Sequence, residues 1–459
     1  VTAYQTDLAV IGGGAAGLAA AREARRRGAT ALIVNRGPLG GDCTFTGCVP
    51  SKTVIEAARA GASFSEAFER ARNVVAHIAS TENSAVLVGE GIEVLDAEAA
   101  LLGPGLISAD GKQIKARGVV VALGSRPAVP PIPGLAEANP MTSDNLWELT
   151  DAPASLIVVG GGAIGCELSQ ALAGLGVAVT LIELASRLLP LDEAQASAVV
   201  EQALSSAGVK ILTGVGVERV EPDGAAHRVV LSDGSQESAE QILVAVGRKP
   251  NSDRGGLADG GLELDRRGYV VNSDDLATNL AQTYVAGDIS GRIQLTHAAD
   301  HMGRLAAGNI LRRAGKAKFR AEQIPRVTFT NPEVAAIGLS EAEAAEQVKG
   351  ARVAELPLTE HDRAIAAGAT SGYLKLIAAP RKVVGDIGGG RLVGATVVAE
   401  RAGELMGELA LALTLKVFVG RMALTVHPYP TWSYAIPKVT AQFFTEVEGR
   451  TARPARAEG

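Results

Sequence analysis

Twice along this chain a short apolar run ends in three consecutive glycines and opens into an alanine-rich stretch: LAVIGGGAAGLAAA at residues 8–21 and LIVVGGGAIGCELSQAL at 156–172. Each reads as a buried strand, a tight turn and a helix, and each is followed by a second apolar strand, ALIV at 31–34 and VTLIE at 179–183. This βαβ plan, stated twice, predicts an α/β fold with two doubly wound, Rossmann-like domains, each holding a nucleotide. Gly12, Gly14 and Gly17 in the first loop, and Gly160, Gly162 and Gly165 in the second, let the backbone approach a pyrophosphate. The following helix stabilises that group with its free N–H groups and dipole. A glycine turn also serves packing alone, so the flanking residues must specify the ligand. Glu183 stands at the end of the second strand of the second unit, where a carboxylate accepts from a free ribose 2′-hydroxyl and repels a 2′-phosphate. NAD(H) is therefore expected over NADP(H), with Arg187, four residues on, able to soften the preference. In the first unit the same place holds Asn35, which either anchors the ribose through one hydrogen bond or simply ends the strand.

With 459 residues, 47 % of them hydrophobic, the chain has material for about three domains with separate cores. A Pro-rich stretch at 128–134 and the polar segment up to Pro153 mark a crossing between the first two. Beyond them, LVAVGRKPN at 243–251 and YVAGDI at 284–289 read as strands ending in glycine turns that meet a ligand. After about Ile324 the pattern becomes that of an antiparallel sheet, with VTFTNPEVAAIG, YLKLIA and LVGATVV as strands and AGELMGELALALTL as an amphipathic helix beside it. The expected division gives 1–150 and the return segment 271–325 to the first nucleotide domain, 151–270 to the second, and 326–459 to an α+β domain for dimerisation. Only the tail, 451–459, reads as disordered. A formal net charge of -6 argues against nucleic acid or an anionic membrane as the main partner. No apolar run reaches bilayer length, and the opening VTAYQTDLAV shows neither a basic n-region nor a cleavage site, so a cytoplasmic protein is expected.

The run GGDCTFTGCVPSK at 40–52 carries the chemistry. Among only three cysteines, Cys43 and Cys48 have four residues between them, and no second Cys or His pair stands at zinc-ligand spacing. A redox-active pair facing a flavin is the leading expectation, and no metal site is expected. Pro50 suits the first helical position, which puts Cys48 at a helix N-terminus with Lys52 nearby. Both features favour thiolate over thiol; Cys43, further out, would meet the substrate. Glu167 either complements a helix dipole or pairs with Lys52 across the domain boundary. Cys166 is expected to pack as a small buried residue.

Taken together, these residues resemble the flavoprotein disulfide reductases, also called pyridine nucleotide-disulfide oxidoreductases. The resemblance spans nearly the whole chain, with VALGSRP, LVAVGRKPN, YVAGDI, QLTHAADHMGRLAAGNI and VTFTNPEVAAIGLSEAEA in the family's order. It implies FAD in the first domain, with Gly124, Gly247 and Asp288 among the cofactor residues and Asp288 on the ribityl chain. It further implies a Lys52–Glu167 pair near flavin N5, with Cys43 as the interchange thiol and Cys48 as the charge-transfer thiol. The family is homodimeric, each active site being completed by the partner's C-terminal domain. Ala163 stands where glutathione reductases have a gating tyrosine, which implies ungated nicotinamide access.

One departure bears on the substrate. Members that reduce disulfides carry His-Pro-Thr-x-x-Glu near the C-terminus, the His acting as acid–base and the Glu orienting it. Here VHPYPTWSYA puts Tyr429 in the His place and Tyr434 in the Glu place, with His427 two residues upstream as the alternative base. A phenol titrating near 10 is a poor proton shuttle at neutral pH, so ordinary disulfide exchange should be slow. The tyrosine, and HDRA at 361–364, are similar to the mercuric reductase-like branch. No N-terminal metal-binding domain is expected, and TARPARAEG has no cysteine pair of the kind that delivers mercury inward there. A soft ion would then meet the Cys43 and Cys48 thiolates directly. The resulting expectation is an NADH-dependent FAD enzyme passing electrons through Cys43–Cys48 to a metal ion, a quinone or an unusual disulfide. The alternatives are a dihydrolipoamide dehydrogenase or small-disulfide reductase using His427, and a flavin redox sensor without turnover.

Overall fold

The computed structural model describes residues 4–312, 314–381 and 385–457. The chain forms two compact units: the first takes residues up to Pro131, Pro140–Ala152 and Leu243–Ala321, and the second Ile132–Asn139, Pro153–Ile242 and everything from Glu322 onward.

In the first unit, Tyr4–Ile11 lies between Ala31–Asn35 and Lys112–Val121, all parallel, with Leu8 beside Ala31 on one flank and Gly118 on the other. Glu93–Asp96 extends one side and Thr283–Val285 pairs with Lys112–Val121. The stretches 8–11, 31–34 and 118–121 are continuous buried runs because both faces are covered there. Their core joins Ala9, Ile11, Leu32, Val34, Val119, Val121, Val285 and Ile289. The abundance of small residues has a local cause: Ala15–Arg26 packs on Thr296–Leu311 so closely that a Cβ on Gly303 would run into the Ala16 carbonyl oxygen.

The second unit repeats the plan with Ser155–Val159, Ala178–Glu183 and Lys210–Thr213 in parallel and the helix Ala163–Gly174 after the first strand. Its later half is an antiparallel sheet in the order Arg326–Thr328, Glu333–Gly338, Arg391–Ala399, Tyr373–Ala379, Arg352–Pro357, Arg453–Pro454. The helices Ala402–Thr414 and Ala435–Ala441 cover it, burying Leu374, Leu376, Val397, Leu405, Leu409 and Ile436.

The tail corrects the expectation of disorder. Arg453–Pro454 adds an edge strand to Arg352–Pro357, the Ala455 amide donates to the Ala351 carbonyl (3.0 Å), and the Arg453 guanidinium forms an ion pair with Glu341. Composition reports how readily a segment is solvated, but a waiting sheet edge and a carboxylate can still hold it. Residues 458–459 lie outside the described part.

Candidate active site

The two glycine loops are built alike. In the first, Gly12 adopts φ +107° and its amide donates to the Val34 carbonyl (2.9 Å); in the second, Gly160 adopts φ +112° and donates to Ile182 (2.8 Å). A Cβ on Gly17 would strike the Gly12 carbonyl oxygen, and one on Gly165 that of Gly160, so each helix starts as close to its strand as backbone allows. Neither Gly14 nor Gly162, the residues capping these helices, supplies a side-chain cap, and neither first turn carries an acid. The amides there are left for an anion.

The residue at each second strand's end braces its own loop. Asn35 accepts from the Gly13 amide (2.8 Å) while its amide nitrogen donates to the carbonyls of Gly37 (3.1 Å) and Pro38 (3.2 Å). Glu183 accepts from the Gly161 amide (2.5 Å) and the Ala185 amide (2.6 Å). The Arg187 guanidinium donates to the carbonyls of Asp192 (2.6 Å) and Pro190 (3.2 Å), tying down the loop that follows Glu183.

Cys43 lies in the five-residue helix Gly41–Phe45, and Cys48 is the first residue of Cys48–Arg59, two residues earlier than Pro50 suggested. Neither is in a disulfide, and Cys48 is the more exposed of the two. The Cys48 Sγ lies 3.2 Å from the hydroxyl of Thr296, itself the first residue of the helix Thr296–Leu311. Two helix N-termini therefore converge on one sulfur, where partial positive charge favours thiolate. A hydrogen bond to Cys48, then burial, pushes the Cys43 thiol far above its ordinary value, so Cys43 keeps its proton through neutral pH. Lys52 is one turn along from Cys48 on the same helix.

Asp288 opens a short 3-10 turn after Gly287. Burial raises its carboxyl above the usual range, against the lowering effect of the Ser125 hydroxyl, which donates to it at 2.5 Å. Arg248 donates to that hydroxyl (2.7 Å) and to the Ser125 carbonyl (2.8 Å), and forms an ion pair with Asp42, the neighbour of Cys43. Gly124 and Gly247, at φ +65° and +121°, open the turns that bring Ser125 and Arg248 together in a two-stranded pairing. Thr296, Ser125, Arg248 and Asp42 were not singled out from sequence. The signal was present for two of them, since Ser125 and Arg248 each directly follow a turn glycine in the motifs VALGSRP and LVAVGRKPN.

In the second unit Glu167 is buried (4 % exposed) and accepts from the Phe329 amide at 2.8 Å. Cys166 is fully buried, its thiol pushed up by burial, which suits packing and not reaction. Tyr429 is 64 % exposed, and its ring meets Tyr434 edge-on with centroids 5.4 Å apart. His427 has a carboxylate partner: Nε2 lies 2.9 Å from Glu408, and Nδ1 lies 3.0 Å from the Thr425 carbonyl. Among the described residues no cluster of three or more His, Cys, Asp or Glu forms a metal site, and no helix is long and apolar enough to cross a membrane.

Residues 6–303 match the family model for pyridine nucleotide-disulphide oxidoreductase, and residues 324–440 match the dimerisation domain of the same family. The chain is 30% identical to mercuric reductase of Staphylococcus aureus, over 96% of this chain and 83% of that protein. It is 33% identical to dihydrolipoyl dehydrogenase of Thermus scotoductus, over 93% of this chain and 95% of that one. Among solved structures, LpdA from Mycobacterium tuberculosis superposes with TM-score 0.87 at 28% identity, over 96% of this chain and 100% of that chain. The HOCl-induced flavoprotein disulfide reductase RclA from Escherichia coli shares the fold with TM-score 0.85 at 24% identity, over 95% of this chain and 99% of that chain.

Proposed function

The chain belongs to the pyridine nucleotide-disulphide oxidoreductase family, and we propose that it carries electrons from NADH by way of FAD and the Cys43–Cys48 pair to a soft metal ion or another acceptor needing no histidine base. By membership it is an FAD-dependent NAD(P)H oxidoreductase. The first unit suits FAD: the Gly12–Gly14–Gly17 cradle has no room for side chains at Gly12 and Gly17, the helix start behind it is uncapped, and Asp288 offers a buried carboxyl for the ribityl hydroxyls. When bound, FAD takes a hydride from the nicotinamide and gives up two electrons.

The observation that carries this reading is the setting of Cys48, with two helix starts and the Thr296 hydroxyl on its sulfur and a protonated Cys43 beside it. Two electrons and one proton break the sulfur–sulfur bond, leaving thiol on Cys43 and thiolate on Cys48. Lys52 and Glu167 complete the proposed catalytic set. Asn35, which braces its loop, is proposed to reach the FAD ribose from there. For the acceptor, relatives named mercuric reductase and the tyrosine at 429 favour a soft ion, because thiolates bind one without any base. The second reading, reduction of lipoamide or a small disulfide, has relatives named dihydrolipoyl dehydrogenase in its favour. It would use His427 as the base, with Glu408 as its carboxylate partner. The dimerisation domain supports a homodimer.

Anaerobic NADH should produce a long-wavelength band from the Cys48 thiolate against the flavin, and Cys48→Ser should abolish it. Full bleaching of the flavin with no such band would sink the relay. Turnover with Hg(II), quinones, lipoamide and glutathione disulfide then sorts the acceptors.

A further inference from the structure

The loop after Glu183 does not hold its shape alone. Leu189 sits at φ +46°, in the left-handed region that bulky side chains avoid, and such a residue persists only where its surroundings fix it. The Leu189 amide donates to the Gly161 carbonyl (2.9 Å), and the amide of that same glycine donates to Glu183. A Cβ on Gly161 would meet the Leu188 side chain at 2.7 Å. The loop therefore forms one wall of the second nucleotide cradle. Its far end is held by the C-terminal sheet of the same unit. Glu193 is buried, one carboxylate oxygen accepting from the Glu341 amide (3.0 Å) and the other from the Lys375 ammonium (2.8 Å). Lys375, on the strand Tyr373–Ala379, is only 6% exposed and also lies 3.2 Å from Glu341 and 3.8 Å from Glu355. Arg453 pairs with Glu341, and Arg326 donates to Asp192 (3.0 Å).

We propose that Lys375 is a positioning residue for NADH, acting through Glu193 on the loop that walls the second glycine turn. This rests on the reading that NADH occupies that turn. A buried ion cluster adds little net stability over apolar side chains of the same volume, because desolvation offsets the attraction. What it supplies is direction: charge-assisted hydrogen bonds fix one placement of Glu193, where apolar contacts would let the segment slide. Two cations, Lys375 and Arg453, face three carboxylates, Glu193, Glu341 and Glu355. Without Lys375 the acids repel one another, and Glu193 moves outward with residues 189–192. A cradle correctly shaped for only part of the time binds with an affinity lowered by that fraction, while the complex that does form is unchanged.

The test is anaerobic stopped flow on the FAD-loaded enzyme, where the dependence of flavin reduction on NADH concentration separates Kd from the limiting rate. In Lys375→Met the Kd for NADH should rise about tenfold, with the limiting rate within about twofold of wild type and the FAD content unchanged. Hydrogen exchange should quicken in the peptide covering residues 184–193, while peptides of the first unit keep their protection. A Kd within about twofold of wild type, or exchange that quickens throughout the chain, overturns the assignment. Should Lys375→Met fail to fold, Glu193→Gln keeps the shape and removes the charge; a Kd raised severalfold supports the tether, and an unmoved one overturns it. Glu183→Ser is measured alongside. If it weakens NADH binding and Lys375→Met does not, the tether alone fails; if neither does, the placement of NADH fails with it.

Discussion

At Cys48 several weak effects act on one atom. The N-terminus of its own helix, the first turn of Thr296–Leu311 and the Thr296 hydroxyl all favour a negative sulfur, while Cys43 supplies a proton to the pair. The hydroxyl is the part that can be removed cleanly. Thr296→Val keeps the shape and deletes the donor, and a hydrogen bond to a charged group is worth about 1.5–3 kcal/mol. The expected outcome is a fall of about tenfold or more in the rate at which iodoacetamide alkylates Cys48 in the reduced enzyme near neutral pH. Peptide mapping should find the label on Cys48 before Cys43 in both proteins, because the Cys43 thiol is held far above its ordinary value. An unchanged rate would mean that the 3.2 Å approach of hydroxyl and sulfur contributes nothing to ionisation.

At the scale of the strand–turn–helix element, the second glycine loop bears on the proposed cofactor choice. Glu183 is fixed by two backbone amides, those of Gly161 and Ala185, which hold its carboxylate in place for the ribose contact proposed for it. Arg187 donates from its guanidinium to loop carbonyls, so it is proposed to weigh little as a counterweight. Glu183→Ser should thus lower the ratio of kcat/KM for NADH to that for NADPH by roughly tenfold or more, the loss of one charge-on-phosphate repulsion and one ribose hydrogen bond. Arg187→Ala should leave that ratio within about twofold. A large loss of NADPH activity in Arg187→Ala would place the guanidinium at the 2′-phosphate after all. The element was legible in the sequence because strand, turn and helix are written in consecutive residues. The guanidinium's partners were not, since they depend on how residues 189–192 fold back.

Across the whole molecule the same division holds: local signals announced both βαβ units, but the groups around the thiols come from distant stretches. Thr296 reaches Cys48 from the start of a late helix, Arg248 and Ser125 reach Asp288 from two separate turns, and Arg453 finds Glu341 across the sheet. No spacing rule announces such pairs. One large-scale feature was readable in outline, the C-terminal domain for dimerisation, and the structure supplies its detail: Leu411, Leu415, Leu424 and Val426 are 60%, 66%, 84% and 95% exposed. Apolar side chains left this open on a domain of that family call for a partner surface, here a second copy. In a two-fold dimer a substitution is felt twice. Val426→Glu would bury an unpaired carboxylate at each copy, at roughly 3–5 kcal/mol apiece, enough to weaken association by several powers of ten. Light scattering should find single chains in Val426→Glu, with FAD still bound because the residues proposed to hold it lie in the first unit. Turnover with the acceptor should fall with dissociation while NADH still reduces the flavin, because the family resemblance implies that the acceptor side is completed by the C-terminal domain of a second copy, the domain that carries Tyr429. Single chains that retain full acceptor turnover would show that each copy works alone, and a dimer that survives the charge would move the interface away from Val426.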